Sequence, residues 1–277
     1  MSDAPTVFIT GATDGLGRAL AHRLAQDGYR LILHGRDPER LARIADEASS
    51  AGTPDAPVTA TADLADLAQV SRLAEQVREG TDRLDVFVSN AGIGAGEPDG
   101  RDRRTSADGY ELRFAVNHLA GFALTLDLLP LLRAGAPARV VYVASLGMHP
   151  LDFDDLMLQH GYDGWRAYGQ SKLAQIMAGL ELAERLPAAE VTVNSLHPGT
   201  FMPTKMVLAE RGTHTDSLET GVEATHRMVA SPELTGVTGA FFDRTSPALA
   251  EAQAYDRAAR AQLWRRSLEL VGRPDID

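Results

Sequence analysis

The chain contains no cysteine. Disulfide frameworks, thiolate zinc sites, iron–sulfur clusters and cysteine nucleophiles are therefore excluded. Positive charge is not in excess either: 27 lysines and arginines stand against 38 acids, a formal net charge of −11. That balance argues against a nucleic-acid backbone or an anionic membrane as partner, while leaving room for a local basic pocket that takes a phosphate. No apolar run is long and clean enough to read as a membrane span. The longest, residues 114–132, is interrupted by Asn117, His118 and Asp127 and carries Pro130 near its end, the pattern of a buried helix. The opening Met1-Ser2-Asp3-Ala4-Pro5 lacks a basic leader region and runs straight into an apolar strand, so a cytoplasmic location is expected. The eight histidines form no His-Glu-x-x-His or similar cluster, so no metal is expected. Ser145 lacks the Gly-x-Ser-x-Gly setting of a hydrolase nucleophile.

The 277 residues, 44% hydrophobic and 23% charged, suffice to bury a sizeable core without covalent staples. Short apolar runs, several rich in valine, recur at 6–9, 30–33, 58–61, 84–88, 139–144, 191–196 and 239–242. Strands buried on both faces have this composition. Helical periodicity fills the intervals at 16–26, 38–49, 65–79, 106–129, 165–185 and 218–229, and a last helix at about 248–271 carries Leu263, Trp264, Leu268 and Leu270. Such alternation predicts an α/β fold: a doubly wound parallel sheet of about seven strands with right-handed crossovers. Connections are short, no repeat divides the chain, and the most loop-like piece is 94–104, so one domain over 1–277 is the simplest organisation.

The first strand ends in Thr10-Gly11-Ala12-Thr13-Asp14-Gly15-Leu16-Gly17, and a helix begins at once. Gly11 permits a tight turn, Gly15 lets backbone approach a pyrophosphate, and Gly17 lets helix and strand pack closely. The helix N-terminus offers N–H groups and a partial positive charge to the anion. The second strand ends in His34-Gly35-Arg36-Asp37-Pro38. An acid at this point would bond the ribose 2′-OH of NAD, and an arginine would accept the 2′-phosphate of NADP. Arg36 predicts NADP(H), with Arg18 as a candidate second cation, whereas a one-residue shift of the turn would bring Asp37 to the ribose and admit NAD(H).

The spacing Thr-Gly-x-x-x-Gly-x-Gly resembles that of the short-chain dehydrogenase/reductase family. The resemblance implies that Asp63 and Leu64 meet the adenine edge, although an Asp there also suits the cap of the 65–79 helix. It further implies that Asn90-Ala91-Gly92 lies beside the cofactor and steadies the sheet, and that Pro198, Gly199 and Thr200 line the nicotinamide side. Tyr168-Gly169-Gln170-Ser171-Lys172 places a phenol and an ammonium at i, i+4 on one helix face. A phenol with a pKa of about 10 is a poor base at neutral pH, but a neighbouring ammonium and a positive nicotinamide ring both favour phenolate. Tyr168 can then give a proton to a carbonyl oxygen or take one back, with Ser145 hydrogen-bonded to the same oxygen and Lys172 orienting the ribose. Phe114-Ala115-Val116-Asn117-His118-Leu119 resembles the family's asparagine motif, in which the asparagine holds a water for proton relay. Asn117, Ser145, Tyr168 and Lys172 thus form the expected catalytic set.

The resemblance runs from about Thr6 to Val271, and 114–119, 168–174 and His197-Pro198-Gly199 look most like the retinol-dehydrogenase-like branch of the classical members. Branch members often begin with a membrane anchor; none is visible here, so no membrane association is expected. Family members often pair through the helices around Asn117 and Tyr168, which makes a homo-oligomer a candidate state. After Pro198-Gly199 the family's Val-x-Thr is replaced by Thr200-Phe201-Met202-Pro203-Thr204, leaving both Thr200 and Thr204 as candidates for the cofactor contact.

Substrate contacts are expected from an insert at 146–166, with Pro150, Phe153, Leu156, Met157, Tyr162 and Trp165, and from a lid at 200–217 with Gly212 as its hinge. Gly147, His149, Trp165 and Phe201 join Ser145 and Tyr168 as the candidate contacts. With few cations in these stretches, an apolar or aromatic carbonyl compound is favoured over a phosphorylated or CoA-linked one. The expected function is NADP(H)-dependent hydride transfer between a carbonyl and a secondary alcohol. Two other readings compete: a dinucleotide-binding sensor or scaffold without turnover, and a non-redox epimerase or dehydratase on the same scaffold. Sensors of that kind commonly lose the tyrosine or lysine, and both are present here.

Overall fold

The computed structural model describes residues 4–96 and 102–276, so residues 1–3 of the opening segment and 97–101 of the 94–104 loop lie outside the described residues. Strands and helices alternate as β1 (Thr6–Ile9), α1 (Gly15–Gln26), β2 (Arg30–Gly35), α2 (Pro38–Ala51), β3 (Val58–Thr61), α3 (Leu67–Gly80) and β4 (Val86–Ser89). The chain continues through α4 (Ala120–Ala134), β5 (Ala138–Val143), α5 (Gly164–Arg185), β6 (Val191–His197), α6 (Lys205–Arg211), α7 (Leu218–Ala230), β7 (Phe241–Asp243), β8 (Ser246–Ala248) and α8 (Arg257–Val271). The sheet order is β3-β2-β1-β4-β5-β6-β7-β8. β1 pairs in parallel with both β2 and β4, so the winding reverses between β1 and β4.

The doubly wound fold is as expected, but the sheet has eight strands and its last pair is antiparallel. Arg244 takes a positive φ of 54° in the turn after β7, which folds the chain back and sets Phe242 opposite Pro247. Pro247 offers no N–H, and the sheet edge is where that is tolerated. Ala248 is therefore strand, and the last helix begins only at Arg257, under an Asp256 cap whose carboxylate accepts the N–H groups of Ala258 and Ala259.

Two further helices start later than the periodicity predicts. α3 is capped by Asp66, which accepts the N–H groups of Ala68 and Gln69, while Asp63 accepts that of Ala65 in the turn before it. The helix expected at 106–129 begins as an antiparallel bridge between Thr105 and Glu111 and a π-helical turn at Phe114–Leu119, then continues as α4.

Two apolar layers sandwich the sheet. Leu16, Leu20 and Leu24 of α1, Leu41 and Ile44 of α2 and Met228 of α7 cover one face. Val70 and Leu73 of α3, Phe122 and Leu128 of α4, Leu173 and Met177 of α5 and Leu263 and Trp264 of α8 cover the other. The run Leu112–Ala134 is long and apolar enough to cross a membrane, yet 72% of its most apolar stretch is buried inside this second layer.

Candidate active site

At the reversal point between β1 and β4 the strand ends open onto a cleft of about 930 Å³, where open α/β sheets take their ligands. The glycine turn forms its floor. Asp14 caps α1 by accepting the Gly15 N–H at 2.7 Å. Gly11 and Gly15 have φ of 69° and 49°, a region that suits glycine. A Cβ on Gly17 would stand 2.2 Å from Gly11 O, so α1 can approach the turn this closely only without one. Thr13, Leu16 and Ala91 also line the cleft. Thr10 sits behind the lining and splices the turn to β4: its Oγ1 accepts the N–H groups of Asn90 and Ala91 at 3.0 and 3.1 Å. Asn90 Nδ2 returns a bond to Thr10 O at 2.8 Å.

His34, to which no role was assigned from its place in the strand, supports the same turn. Gly11 N–H donates to Nδ1 at 3.2 Å, so the ring proton lies on Nε2, which meets Ala62 O at 3.1 Å. Burial lowers its pKa to about 4, keeping the ring neutral. The only sequence signal was a polar residue inside an apolar strand.

Where β2 ends, exposed Arg36 lines the cleft. Asp37 does not: its carboxylate caps α2, accepting the N–H groups of Glu39 and Arg40, each at 3.1 Å. Arg18 turns away to Glu47, with contacts of 3.0 and 2.9 Å. Asp63 and Leu64 lie on the lining beside Val116.

Ser145, Tyr168 and Lys172 also line the cleft. Gly147, just behind it, shows how close the two hydroxyl-bearing residues are: a Cβ there would lie 3.5 Å from Ser145 Oγ and 3.7 Å from a Tyr168 ring carbon. Lys172 Nζ lies 5.9 Å from the Tyr168 ring centre and donates to Val143 O at 2.8 Å. Burial lowers its pKa to about 8. Asn117 is set back from the lining. Its Oδ1 accepts the Ile93 N–H at 2.9 Å, and its Nδ2 donates to Ile93 O and Ser171 Oγ at 3.1 and 2.9 Å. A Cβ on Gly92 would meet Asn117 Oδ1 at 3.1 Å and Lys172 Nζ at 3.5 Å, so the three groups adjoin.

Pro198, Gly199, Thr200, Phe201 and Thr204 line the third side. Thr204 caps α6, and its methyl would lie 3.0 Å from a Cβ on Gly15. Thr200 Oγ1 is held at 3.1 Å by His197. Of the six insert residues expected at the substrate, only Trp165 lines the cleft, edge-on to Tyr168 at 6.5 Å. Leu156 is buried, Phe153 and Met157 pack on the core, and Tyr162 donates to Glu111 at 3.0 Å. His149 and Gly147 also lie off the lining, because their backbone crosses Gly169 of α5: a Cβ there would be 3.0 Å from both Gly147 O and His149 N. Lys205, not foreseen, lies exposed on the lining. Of the 27 basic side chains only Lys172 and Lys205 are lysine, and both face this one cleft.

Residues 5–214 match the family model for short chain dehydrogenases. The chain belongs to the short-chain dehydrogenase/reductase family. Within this family it is 33% identical over 290 residues to retinol dehydrogenase 13 of Homo sapiens, covering 96% of this chain and 84% of that one. It is 36% identical over 282 residues to a protein of Streptomyces sp. (strain C5) provisionally named daunorubicin C-13 ketoreductase DnrU, covering 96% and 92%. The solved Pseudomonas aeruginosa RhlG/NADP active-site complex superposes with a TM-score of 0.69 at 27% identity, over 87% of this chain and 95% of that one. The protein is thus an oxidoreductase of the retinol-dehydrogenase-like branch of the short-chain dehydrogenase/reductases. Its cleft fits a nicotinamide dinucleotide: a glycine turn that a Cβ would fill, a helix N-terminus behind it, and apolar Leu64 and Val116 on the lining.

Proposed function

We propose that the protein is an NADP(H)-dependent oxidoreductase that interconverts a carbonyl and a secondary alcohol on an apolar small molecule. The observation that carries this reading is the gathering of Ser145, Tyr168 and Lys172 on the lining of the cleft that the glycine turn also lines. Bound there, NADP(H) would supply or take up the hydride. In the reductive direction the Tyr168 hydroxyl gives its proton to the carbonyl oxygen and the Ser145 hydroxyl hydrogen-bonds that oxygen as its charge grows. The Lys172 ammonium near the phenol favours the phenolate that remains. Asn117, bonded to Ile93 and Ser171, fixes the loop after β4 against α5.

Preference for NADP(H) is supported by Arg36 on the lining and by the commitment of the Asp37 carboxylate to the α2 cap. An apolar substrate is supported by Leu146, Trp165, Phe201, Met202 and Val207 on the lining, with Trp165 against Tyr168. A panel of aromatic and aliphatic ketones and aldehydes, followed by loss of nicotinamide absorbance with NADPH and with NADH, tests the reading. Turnover with NADPH at least tenfold above that with NADH is expected. Absence of turnover across the panel despite NADPH binding would remove it.

A further inference from the structure

His197 closes β6 and is 6% exposed, and its hold on Thr200 is half of what its ring does. It touches both walls of the cleft. The Leu146 N–H donates to Nδ1 at 3.3 Å, so the neutral ring carries its proton on Nε2. Nε2 in turn donates to Thr200 Oγ1 at 3.1 Å. One imidazole therefore ties the residue after Ser145 to the stretch that follows Gly199.

The Thr200 end is held by two further residues. Its N–H donates to Asp216 Oδ2 at 2.7 Å. Arg244 Nε donates to the same carboxylate oxygen at 3.1 Å, and its Nη2 reaches Thr200 Oγ1 at 3.3 Å. The Arg244 N–H donates to His197 O at 2.7 Å. The left-handed turn at Arg244 that creates β8 thus also returns the guanidinium to the base of the lid. Burial holds the His197 pKa below the ordinary imidazole value, against Asp243 and Asp216 and with the help of Arg244. The neutral ring is the form that can accept from Leu146.

We propose that His197 is a positioning residue that sets the Ser145 turn and the 198–200 stretch relative to each other, one ring nitrogen serving each. This rests on the reading of the cleft as a hydride-transfer site. The two nitrogens have separable effects. Losing the Nδ1 acceptor frees Leu146 and loosens Ser145, which slows the chemical step. Losing the Nε2 donor removes one of the two side-chain bonds that aim the Thr200 hydroxyl and shifts it, which weakens dinucleotide binding.

His197→Asn keeps a carboxamide oxygen near Nδ1 and lacks the reach to Thr200. His197→Gln carries its amide nitrogen toward Nε2 and leaves Leu146 without its acceptor. NADPH Kd, read by fluorescence titration without substrate, is expected to rise about tenfold in His197→Asn with kcat near wild type, one lost hydrogen bond being worth about that factor. In His197→Gln kcat falls about tenfold or more and Kd stays near wild type. Thr200→Val removes the partner of the same bond, so its rise in Kd should not add to that of His197→Asn in the double variant, and fully additive rises would overturn the proposal. Equal changes in kcat and Kd across the folded variants, or no change in either, would overturn the proposal. If the wild-type protein binds NADPH but turns over no carbonyl, the hydride-transfer reading fails on its own, and the Kd split still decides whether the ring couples the two walls.

Discussion

Tyr168 and Lys172 stand four residues apart on α5, and the wall they share with Ser145 is where single substitutions should speak most clearly. Tyr168→Phe removes one oxygen and leaves the ring against Trp165. Turnover is expected to fall by about 10³-fold or more, within the range for loss of a positioned proton donor, with NADPH Kd within threefold of wild type. Steady-state kinetics and a fluorescence titration check this together. Arg36→Ala should raise the KM for NADPH at least tenfold and leave that for NADH unchanged, measured by varying each cofactor at fixed substrate. The glycine turn and the Tyr168–Lys172 pair were legible in the sequence because short local spacings carry them, and Ser145 through its place after the fifth strand and the family resemblance. His34 and His197 were not, since each acts through a backbone N–H that the fold brings from a distant segment. Nor could spacing show that Asp37 is spent on a helix cap, because a cap and a ribose contact call for the same residue type.

Among the elements, helix and strand identity followed from periodicity while their ends did not. Asp63 and Asp66 are equally good capping residues. Docking decides between them: Ala107 donates to Ala65 O and Leu67 donates to Asp108, which draws 63–66 out of helical geometry. β8 has three residues including a proline, too short for any alternating pattern to register. α8 was visible through its apolar residues, and Trp264 is its anchor. The indole is 1% exposed, meets Phe122 edge-on at 5.0 Å, lies under Arg185 and donates to Asp275 at 2.8 Å. Trp264→Ala should cost about 3–5 kcal/mol of stability, the usual range for emptying such a site. Urea denaturation should show the midpoint fall with far-ultraviolet dichroism retained before unfolding.

For the molecule as a whole, neutral buried histidines set an acid limit, with His34, His118 and His197 all held below the ordinary imidazole value by burial. Burial lowers His34 to about 4 and His118 to about 3. Between those values and the ordinary value of about 6.5, the unfolded chain binds protons that the native fold does not, so stability rises with pH in that window. Acidification from pH 6.5 should therefore destabilise the protein by up to about 1.4 kcal/mol per pH unit for each ring. Urea midpoints at pH 7, 5.5 and 4.5 check the slope, and His118→Leu should flatten it. A flat profile in the parent protein would contradict the neutral assignment of both rings.

The scarcity of lysine has a practical outcome. Guanidinium groups do not undergo reductive alkylation, so carbon-13 methyl tags added with formaldehyde go to the α-amino group and to accessible Lys205, while Lys172, buried and bonded to Val143 O, is spared. The Lys205 resonance would then report directly on occupancy of the crevice it borders, giving a ligand screen that needs neither a known substrate nor an engineered label.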